Sequence, residues 1–152
     1  MNGFVRGVAR KTSLEYSRGM NLSKLLQFQT VLVEYRKIRR MIYVQGEDRF
    51  ENDVEHSYML AMLALAIINS KQTALDEHKV LIYALLHDLV EVYAGDVSLY
   101  PAPGEKIDRE AKKKREADAL VRLKKEFPEA EKLFTWIDEY EHQENPESRF
   151  VY

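Results

Sequence analysis

The two most apolar stretches of the chain each follow an Asp residue that is suited to begin a helix. Asp53 precedes residues 54–69, and Asp76 precedes residues 77–94, after which Gly95 is placed to end the helix. Both stretches repeat apolar residues at helical spacing, so we expect both helices to be central. The first has a wide apolar face that we expect to lie deep in the core, made of Met59, Leu60, Leu63, Ala66 and Ile67.

The rest of the chain also has the patterns of helices. Apolar residues recur every three or four positions in residues 21–39, and residues 106–127 form a highly charged helical segment. Residues 128–143 and 145–152 each open with a proline placed in a first helical turn. Residues 45–52 are polar and are expected to form a loop, and no alternation typical of strands is present. The pattern predicts an all-α fold, a bundle of five or six helices.

Composition limits the classes of protein and partner. With 152 residues, 45% hydrophobic and 32% charged, the chain is long and apolar enough for one globular domain. It has no Cys, which excludes thiolate chemistry and suits a reducing compartment, so we expect a cytoplasmic protein. The net charge of −2 gives no basic field for a nucleic-acid polymer. The longest apolar run, residues 59–69, is about half the ~20 residues of a membrane span, so no membrane partner is expected.

Both ends of the chain differ from its middle. Residues 1–19 are basic and are expected to be a flexible leader, so the domain is expected to comprise residues 20–152. The last helix has only about six residues before Tyr152, which is too short for stability without packing. We therefore expect this helix to continue, so that the domain is cut short within its last element.

Two histidines fall on the central helices, and one of them has an acidic neighbour. His56 lies near the start of the first central helix, and His87 is followed directly by Asp88 late in the second. A buried carboxylate without a partner is very costly. One divalent cation would satisfy all three groups, since imidazole nitrogen and carboxylate oxygen suit Mn²⁺, Fe²⁺, Co²⁺, Ni²⁺ or Zn²⁺. The structural alternative is a core histidine that bonds to the neighbouring carboxylate.

Two further carboxylates follow the His-Asp pair. Glu91 is four residues after His87 and projects from the same side of a helix, and Asp96 follows Gly95 just past the expected helix end. The helix dipole disfavours carboxylates at a C-terminus, so helix stability gives no reason for them. Their position favours a functional pocket at this end of the helix.

These residues resemble a known family. Val54-Glu55-His56-Ser57 together with residues 87–97, HDLVEVYAGDV, is similar to the HD-domain metal-dependent phosphohydrolases, and within them to the 5′-deoxynucleotidase branch. The form HD-x-x-E-x-x-x-x-D, with Gly before the last Asp, is specific to that branch. Residues 136–141 and 146–151 also resemble its members, so the likeness extends over residues 22–152.

The resemblance implies a helical HD domain that removes phosphate from deoxyribonucleoside 5′-monophosphates with a divalent metal ion (Mn, Co, Fe, Ni, Zn or Mg). It further implies that the protein is a homodimer and that its substrate is a small nucleotide. The family places its last Asp ligand on the helix after residues 146–151, which would lie beyond Tyr152. The implied roles are metal ligation by His56, His87 and Asp88, water activation by Glu91, leaving-group contact or proton transfer by Asp96, and phosphate binding by Arg40 or, as second choice, Arg39.

Other functions remain open alongside this one. The alarmone hydrolases of the same superfamily favour Asp after the Glu of the motif, whereas Val92 follows Glu91 here. Cyclic-nucleotide hydrolases recruit two metals through additional His or Asp ligands. A catalytically dead helical dimerisation module without the last ligand is a third alternative. Residues 101–106 form either a lid over the substrate or an ordinary connection, and Tyr93 and Tyr100 flank the candidate pocket.

Overall fold

The structure is a computed structural model that describes residues 19–96 and 108–152. The expected leader lies outside the described residues except for Gly19. Tyr100 and the expected lid over residues 101–106 also lie outside them. Among the described residues, no helix combines the length and the hydropathy that a membrane crossing requires.

The described chain is helical, with one small antiparallel hairpin, which confirms the all-α class. The helices pack around a core to which α1, α5 and α6 contribute most of the buried side chains. A 3₁₀ turn at Pro128–Ala130 links α5 to α6. In chain order the elements are α1 (Leu22–Tyr35), β1 (Arg39–Tyr43), β2 (Phe50–Asn52), α2 (Asp53–Lys71), α3 (Glu77–Leu86), α4 (Glu91–Ala94), α5 (Arg109–Glu126), α6 (Glu131–Glu141) and α7 (Pro146–Val151).

Helix α7 is short, but its start is fixed and its end is packed. The Asn145 side chain accepts a hydrogen bond from the Ser148 backbone N–H at 2.9 Å, and Ser148 Oγ bonds back to Asn145. Phe150 and Val151 pack against a small cluster that includes Ile68 of α2 and Val80 of α3. Tertiary packing therefore stabilises a helix that would be marginal alone.

The first helix ends earlier than the sequence predicted, and a hairpin follows it. Helix α1 ends at Tyr35 instead of near Arg39, and residues 45–52 are not wholly a loop because β2 pairs with β1. Arg39 pairs with Asn52 across the hairpin, and the rings of Tyr43 and Phe50 pack at 4.6 Å between centroids. The hairpin is largely exposed, so it leaves no alternating apolar pattern in the sequence.

Helix α2 buries a different face from the one predicted. The expected core residues Met59, Leu63 and Ile67 are exposed in this chain. Small residues on the other face allow α2 to approach α3 closely, and the two helices share an extensive contact. The N-cap also differs, because Asn52 rather than Asp53 receives the capping hydrogen bonds. The residues that α2 buries are Asp53, Ser57, Ala61, Ala64 and Ile68.

The predicted helix over residues 77–94 is interrupted. Helix α3 ends at Leu86, and α4 begins only at Glu91. Between them the backbone tightens, with the Leu89 N–H donating to the Leu86 carbonyl and the Glu91 N–H to the Asp88 carbonyl. Leu89 and Val90 are buried in the main core and anchor this turn. His87 and Asp88 therefore lie in a tight turn between two helices.

Candidate metal centre

Three sequence-predicted ligands come together at the centre of the domain. His56 is in the first turn of α2, and His87 and Asp88 begin the turn after α3. Each of the three offers a ligand atom that lies within 4.8 Å of the others. The contact between α2 and α3 brings residues more than 30 positions apart into one cluster, which is compatible with a single shared cation.

Neighbouring groups orient both imidazole rings. His87 Nδ1 lies 3.0 Å from the Ala84 carbonyl, which only accepts, so Nδ1 donates, and Nε2 lies 2.9 Å from Asp88 Oδ2. His56 Nδ1 lies 3.5 Å from Glu51 Oε2. Carboxylates and carbonyls commonly hold metal-ligating histidines in this way. Sequence analysis missed Glu51, whose position on β2 depends on the hairpin.

The charge states suit metal ligation. Burial, together with the positive charges of Arg40 and His87, lowers the pKa of His56 to about 4, so this imidazole is neutral at pH 7. Burial alone would raise the pKa of Asp88, but the hydrogen bond from His87 and the nearby positive charges hold it at about 2. The cluster therefore presents the neutral imidazole of His56 and the ionised carboxylate of Asp88, the forms that bind a metal.

Arg40 contacts the cluster, whereas Arg39 does not. Arg40 Nη1 lies 2.5 Å from Asp88 Oδ2 and 3.5 Å from Asp53 Oδ1. Successive residues of a strand point to opposite faces, so the hairpin directs Arg40 inward and leaves Arg39 exposed. Among the described residues Arg39 forms no ion pair, so the structure brings the first-choice arginine to the site.

Glu91 is buried at the edge of the same cluster. Its side chain is 2% exposed, with Oε1 at 3.6 Å from Lys112 Nζ and Oε2 without a hydrogen-bond partner. Burial raises the pKa of Glu91 to about 9, helped by the negative charges of Asp88 and Asp53 and opposed by Lys112. Lys112 also lies 3.3 Å from Glu116 Oε1. Only the packing of α5 against α4 shows that Lys112 turns inward, and the sequence does not indicate it.

Asp53 and Asp96 complete an acidic pocket. Asp53 is fully buried, and it forms a second group with Asp88 and Glu91 whose ligand atoms lie within 4.8 Å of one another. Burial raises the pKa of Asp96, and the charges of Arg40 and Lys112 oppose that rise. Asp96 therefore shares the electrostatic environment of the cluster. Sequence analysis missed Asp53 as a site residue because an Asp at a helix start is normally a cap.

The remaining histidines and Tyr93 are engaged elsewhere. His78 and His142 are exposed, as expected, and His78 packs edge-on against Trp136 with ring centroids 6.2 Å apart. The Tyr93 hydroxyl donates to Glu126, and the Arg122 guanidinium stacks on its ring. The histidines that cluster are the two that the sequence had placed on core helices.

The residues present fit a divalent cation. The donors are imidazole nitrogens and carboxylate oxygens, which suit first-row metals. Asp53 has two buried oxygens and Glu91 has one that no hydrogen bond satisfies, which is costly in a domain interior. A cation would compensate this excess of negative charge, whereas a purely structural His-Asp pair would leave it unexplained.

Comparison with known proteins places these residues in a family context. Residues 34–152 match the HD domain family. A human protein named 5′-deoxynucleotidase HDDC2 is 30% identical over 136 residues, which are 88% of this chain and 63% of the relative. The protein of the same name from Xenopus laevis is 31% identical, over 84% of this chain and 61% of the relative. The chain thus spans less than two thirds of the length of these relatives.

A solved structure supports the likeness in three dimensions. The crystal structure of a predicted metal-dependent phosphohydrolase from Magnetospirillum magnetotacticum superposes with a TM-score of 0.70. It is 27% identical in sequence, and the match covers 86% of this chain and 65% of that one. The helices that bring His56 close to His87 and Asp88 therefore belong to a fold that a crystal structure has already shown.

Proposed function

The chain belongs to the HD-domain family, and from this membership we propose that it is a metal-dependent phosphohydrolase that acts on deoxyribonucleoside 5′-monophosphates. The observation that carries the proposal is the convergence of His56, His87 and Asp88 beside the Arg40 guanidinium. The relatives named 5′-deoxynucleotidase support the nucleotide class. The ligand set leaves the metal open among Mn, Co, Fe, Ni, Zn and Mg.

Arg40 is the proposed phosphate-binding residue. A bound divalent cation held by His56, His87 and Asp88 would neutralise phosphate oxygens and make the attacking water more acidic. Arg40 reaches the same Asp88 oxygen at 2.5 Å, so its guanidinium is next to where the phosphate must lie. The planar fork matches two phosphate oxygens and keeps its charge at any working pH.

Glu91 is the proposed proton acceptor. It lies within 4.8 Å of Asp88 but outside the His-His-Asp group, which suits a residue that orients the attacking water. Its pKa of about 9 in the metal-free protein is too high for a base at pH 7. The positive charge of a bound cation acts against the causes of that rise and favours ionised Glu91.

Asp96 is proposed to act on the leaving-group side. When water attacks phosphorus, the bond to the ribose 5′-oxygen breaks, and that oxygen must gain a proton. Burial raises the pKa of Asp96, which favours the protonated form that can donate. A hydrogen bond from Asp96 to the ribose is the alternative role on the same side.

The test is phosphate release by the full-length protein from a panel of deoxyribo- and ribonucleoside monophosphates, with Mn²⁺, Co²⁺ and Mg²⁺ in turn. We expect release from the deoxyribonucleotides that a chelator abolishes and added metal restores. His87→Ala should lose it, while the exposed His78→Ala serves as the matched control and keeps it. If no nucleoside monophosphate is hydrolysed with any metal, or if release survives chelation, the proposed function is wrong.

We also propose a homodimer, supported by the unusual surface of α2. This helix buries one face against α3, yet its opposite face carries a continuous apolar stripe that is exposed in the single chain. A helix that is apolar all round is normally buried on all sides. A second copy of the same stripe would cover it. Its members are Tyr58, Met59, Met62, Leu63 and Ile67.

Light scattering after gel filtration tests the dimer. Leu63→Asp places a charge in the middle of the stripe and should give a monomer from a dimeric wild type. Val121→Asp is the matched control, since Val121 of α5 is 66% exposed and lies outside the stripe. A monomeric wild type, or a Leu63→Asp variant that stays dimeric, would contradict the assignment.

A further inference from the structure

Arg40 is shared by two carboxylates at unequal distances. Its Nη1 atom lies 2.5 Å from Asp88 Oδ2 and 3.5 Å from Asp53 Oδ1. Asp88 is one of the three groups that can hold a cation, whereas Asp53 is outside that group. The short contact to Asp88 therefore engages a carboxylate that a bound cation also uses, and the guanidinium and the cation compete for it.

Asp53 is a second partner, and its carboxylate also lies within 4.8 Å of ligand atoms of Asp88 and Glu91. Its side chain is fully buried, and neither carboxyl oxygen has a hydrogen-bond partner. It does not cap α2, because Asn52 does. The Tyr35 hydroxyl bonds to Ser57 Oγ and to the Asp53 carbonyl, not to the carboxylate. A buried acid without hydrogen bonds is costly, and local structure does not explain its presence.

The position of Asp53 is fixed by the backbone. It is the first residue of α2 and follows β2 directly, and its N–H donates to the Ile38 carbonyl just before β1. Arg40 lies two residues after Ile38 on the same strand. The hairpin and the helix start thus hold the carboxylate of Asp53 and the stem of Arg40 at a fixed separation.

We propose that Asp53 is a positioning residue that receives the Arg40 guanidinium when a cation takes Asp88, and so keeps Arg40 beside the metal centre and ready for phosphate. A guanidinium has five N–H donors, so it can contact Asp53 and still present a fork to an anion. The role in phosphate binding rests on the proposed function. The exchange of partners does not, because it concerns only the cation and this chain.

A double-mutant cycle on Mn²⁺ affinity tests the exchange without any substrate. Calorimetry gives Mn²⁺ affinity and stoichiometry for the wild type, Asp53→Asn, Arg40→Gln and the double variant. With Arg40 present, Asp53→Asn should weaken Mn²⁺ binding by about 3- to 30-fold, because Arg40 then stays on Asp88. With Arg40→Gln the same change should cost less than about twofold, the range of independent sites.

Three results would overturn the proposal. One is an effect of Asp53→Asn that is as large without Arg40, since Asp53 would then act on the cation directly. Another is the loss of one bound Mn²⁺ equivalent, which would make Asp53 a ligand. The third is no effect with Arg40 present. Asp53→Val, an apolar residue suited to a buried position, repeats the test if the Asn variant does not fold. Asp118→Asn, an exposed residue of α5, is the control and should change nothing.

Kinetics with saturating Mn²⁺ test the consequence for the substrate. Asp53→Asn should raise KM for a deoxyribonucleoside monophosphate by about 3- to 30-fold with a smaller change in kcat, and the rise should vanish in the Arg40→Gln background. A purely structural role would lower the active fraction and leave KM unchanged. If the Mn²⁺ cycle shows the coupling but no phosphate is released, the proposed function fails and the exchange stands. If phosphate is released but neither cycle shows coupling, the exchange is wrong.

Discussion

Replacement of Glu91 by Gln removes a proton acceptor and keeps the shape of a side chain that is only 2% exposed. The amide can occupy the same space, since Oε1 is 3.6 Å from Lys112 and Oε2 has no hydrogen-bond partner to lose. We therefore expect the variant to fold and to bind its metal.

The expected loss follows from the role of a general base. Proton transfer by a positioned side chain contributes about 10²- to 10⁴-fold to rate, which is roughly 2.7–5.4 kcal/mol of activation free energy. Because Glu91 is outside the His56–His87–Asp88 group, the loss should appear in kcat more than in KM. The proposed phosphate contact of Arg40 does not depend on Glu91, so the variant should still bind nucleotide.

The assay is phosphate release at saturating nucleotide, with metal content measured on the same preparation. Glu129→Gln, an exposed residue of the 3₁₀ turn, is the matched control and should have wild-type kinetics. Wild-type turnover of Glu91→Gln would refute the assignment, and Asp96 would become the better candidate base. Loss of the metal would show instead that Glu91 is a ligand.

Three further outcomes are expected. Arg40→Lys should lower kcat/KM by about tenfold or more because the bidentate fork is lost, whereas Arg39→Lys should be silent, as steady-state kinetics will show. In metal-free protein the pKa values of Glu91 (about 9) and Asp53 (about 7) are raised, so the folded state binds more protons than the unfolded state. The free energy of unfolding, measured with urea, should therefore fall as pH rises from about 5 to about 9. Glu91→Gln should make this dependence on pH weaker. Lys112→Gln removes a charge that lowers the pKa of Glu91, so the rising limb of the kcat–pH profile should move to higher pH.

Local patterns predicted the helices, and they singled out the three candidate ligands that the structure brings together. Asp76 accepts the capping hydrogen bonds that its position indicated. The His-Asp pair and the histidine near the start of α2 were recognisable because each is a polar group inside an apolar helical segment. Such features depend on neighbours within about one helical turn, which a sequence displays directly.

The errors concern contacts between distant segments. Helix α2 is apolar on two faces, so its sequence does not say which face meets α3; small residues at Ala61 and Ala64 decide it by permitting close approach. The hairpin pairs Arg39 with Asn52 through backbone bonds that leave no periodic signal. The sequence suggested Asp53 as the N-cap of α2, but in the structure Asn52 caps this helix. Each missed contact lies near the site, where local preference and global structure agree least.

Asp53, which the sequence suggested as a helix cap, also helps to explain why a cation suits this site. Asp53, Asp88, Glu91 and Asp96 influence one another electrostatically, and Arg40 and Lys112 are the cations that oppose them. Burial, helped by the repulsion between these carboxyl groups, raises the pKa values of Glu91 and Asp53. A divalent cation adds positive charge and favours the ionised forms. In the proposed mechanism, Glu91 therefore becomes a competent base only when the metal is bound, so the loading of the site is coupled to its chemistry.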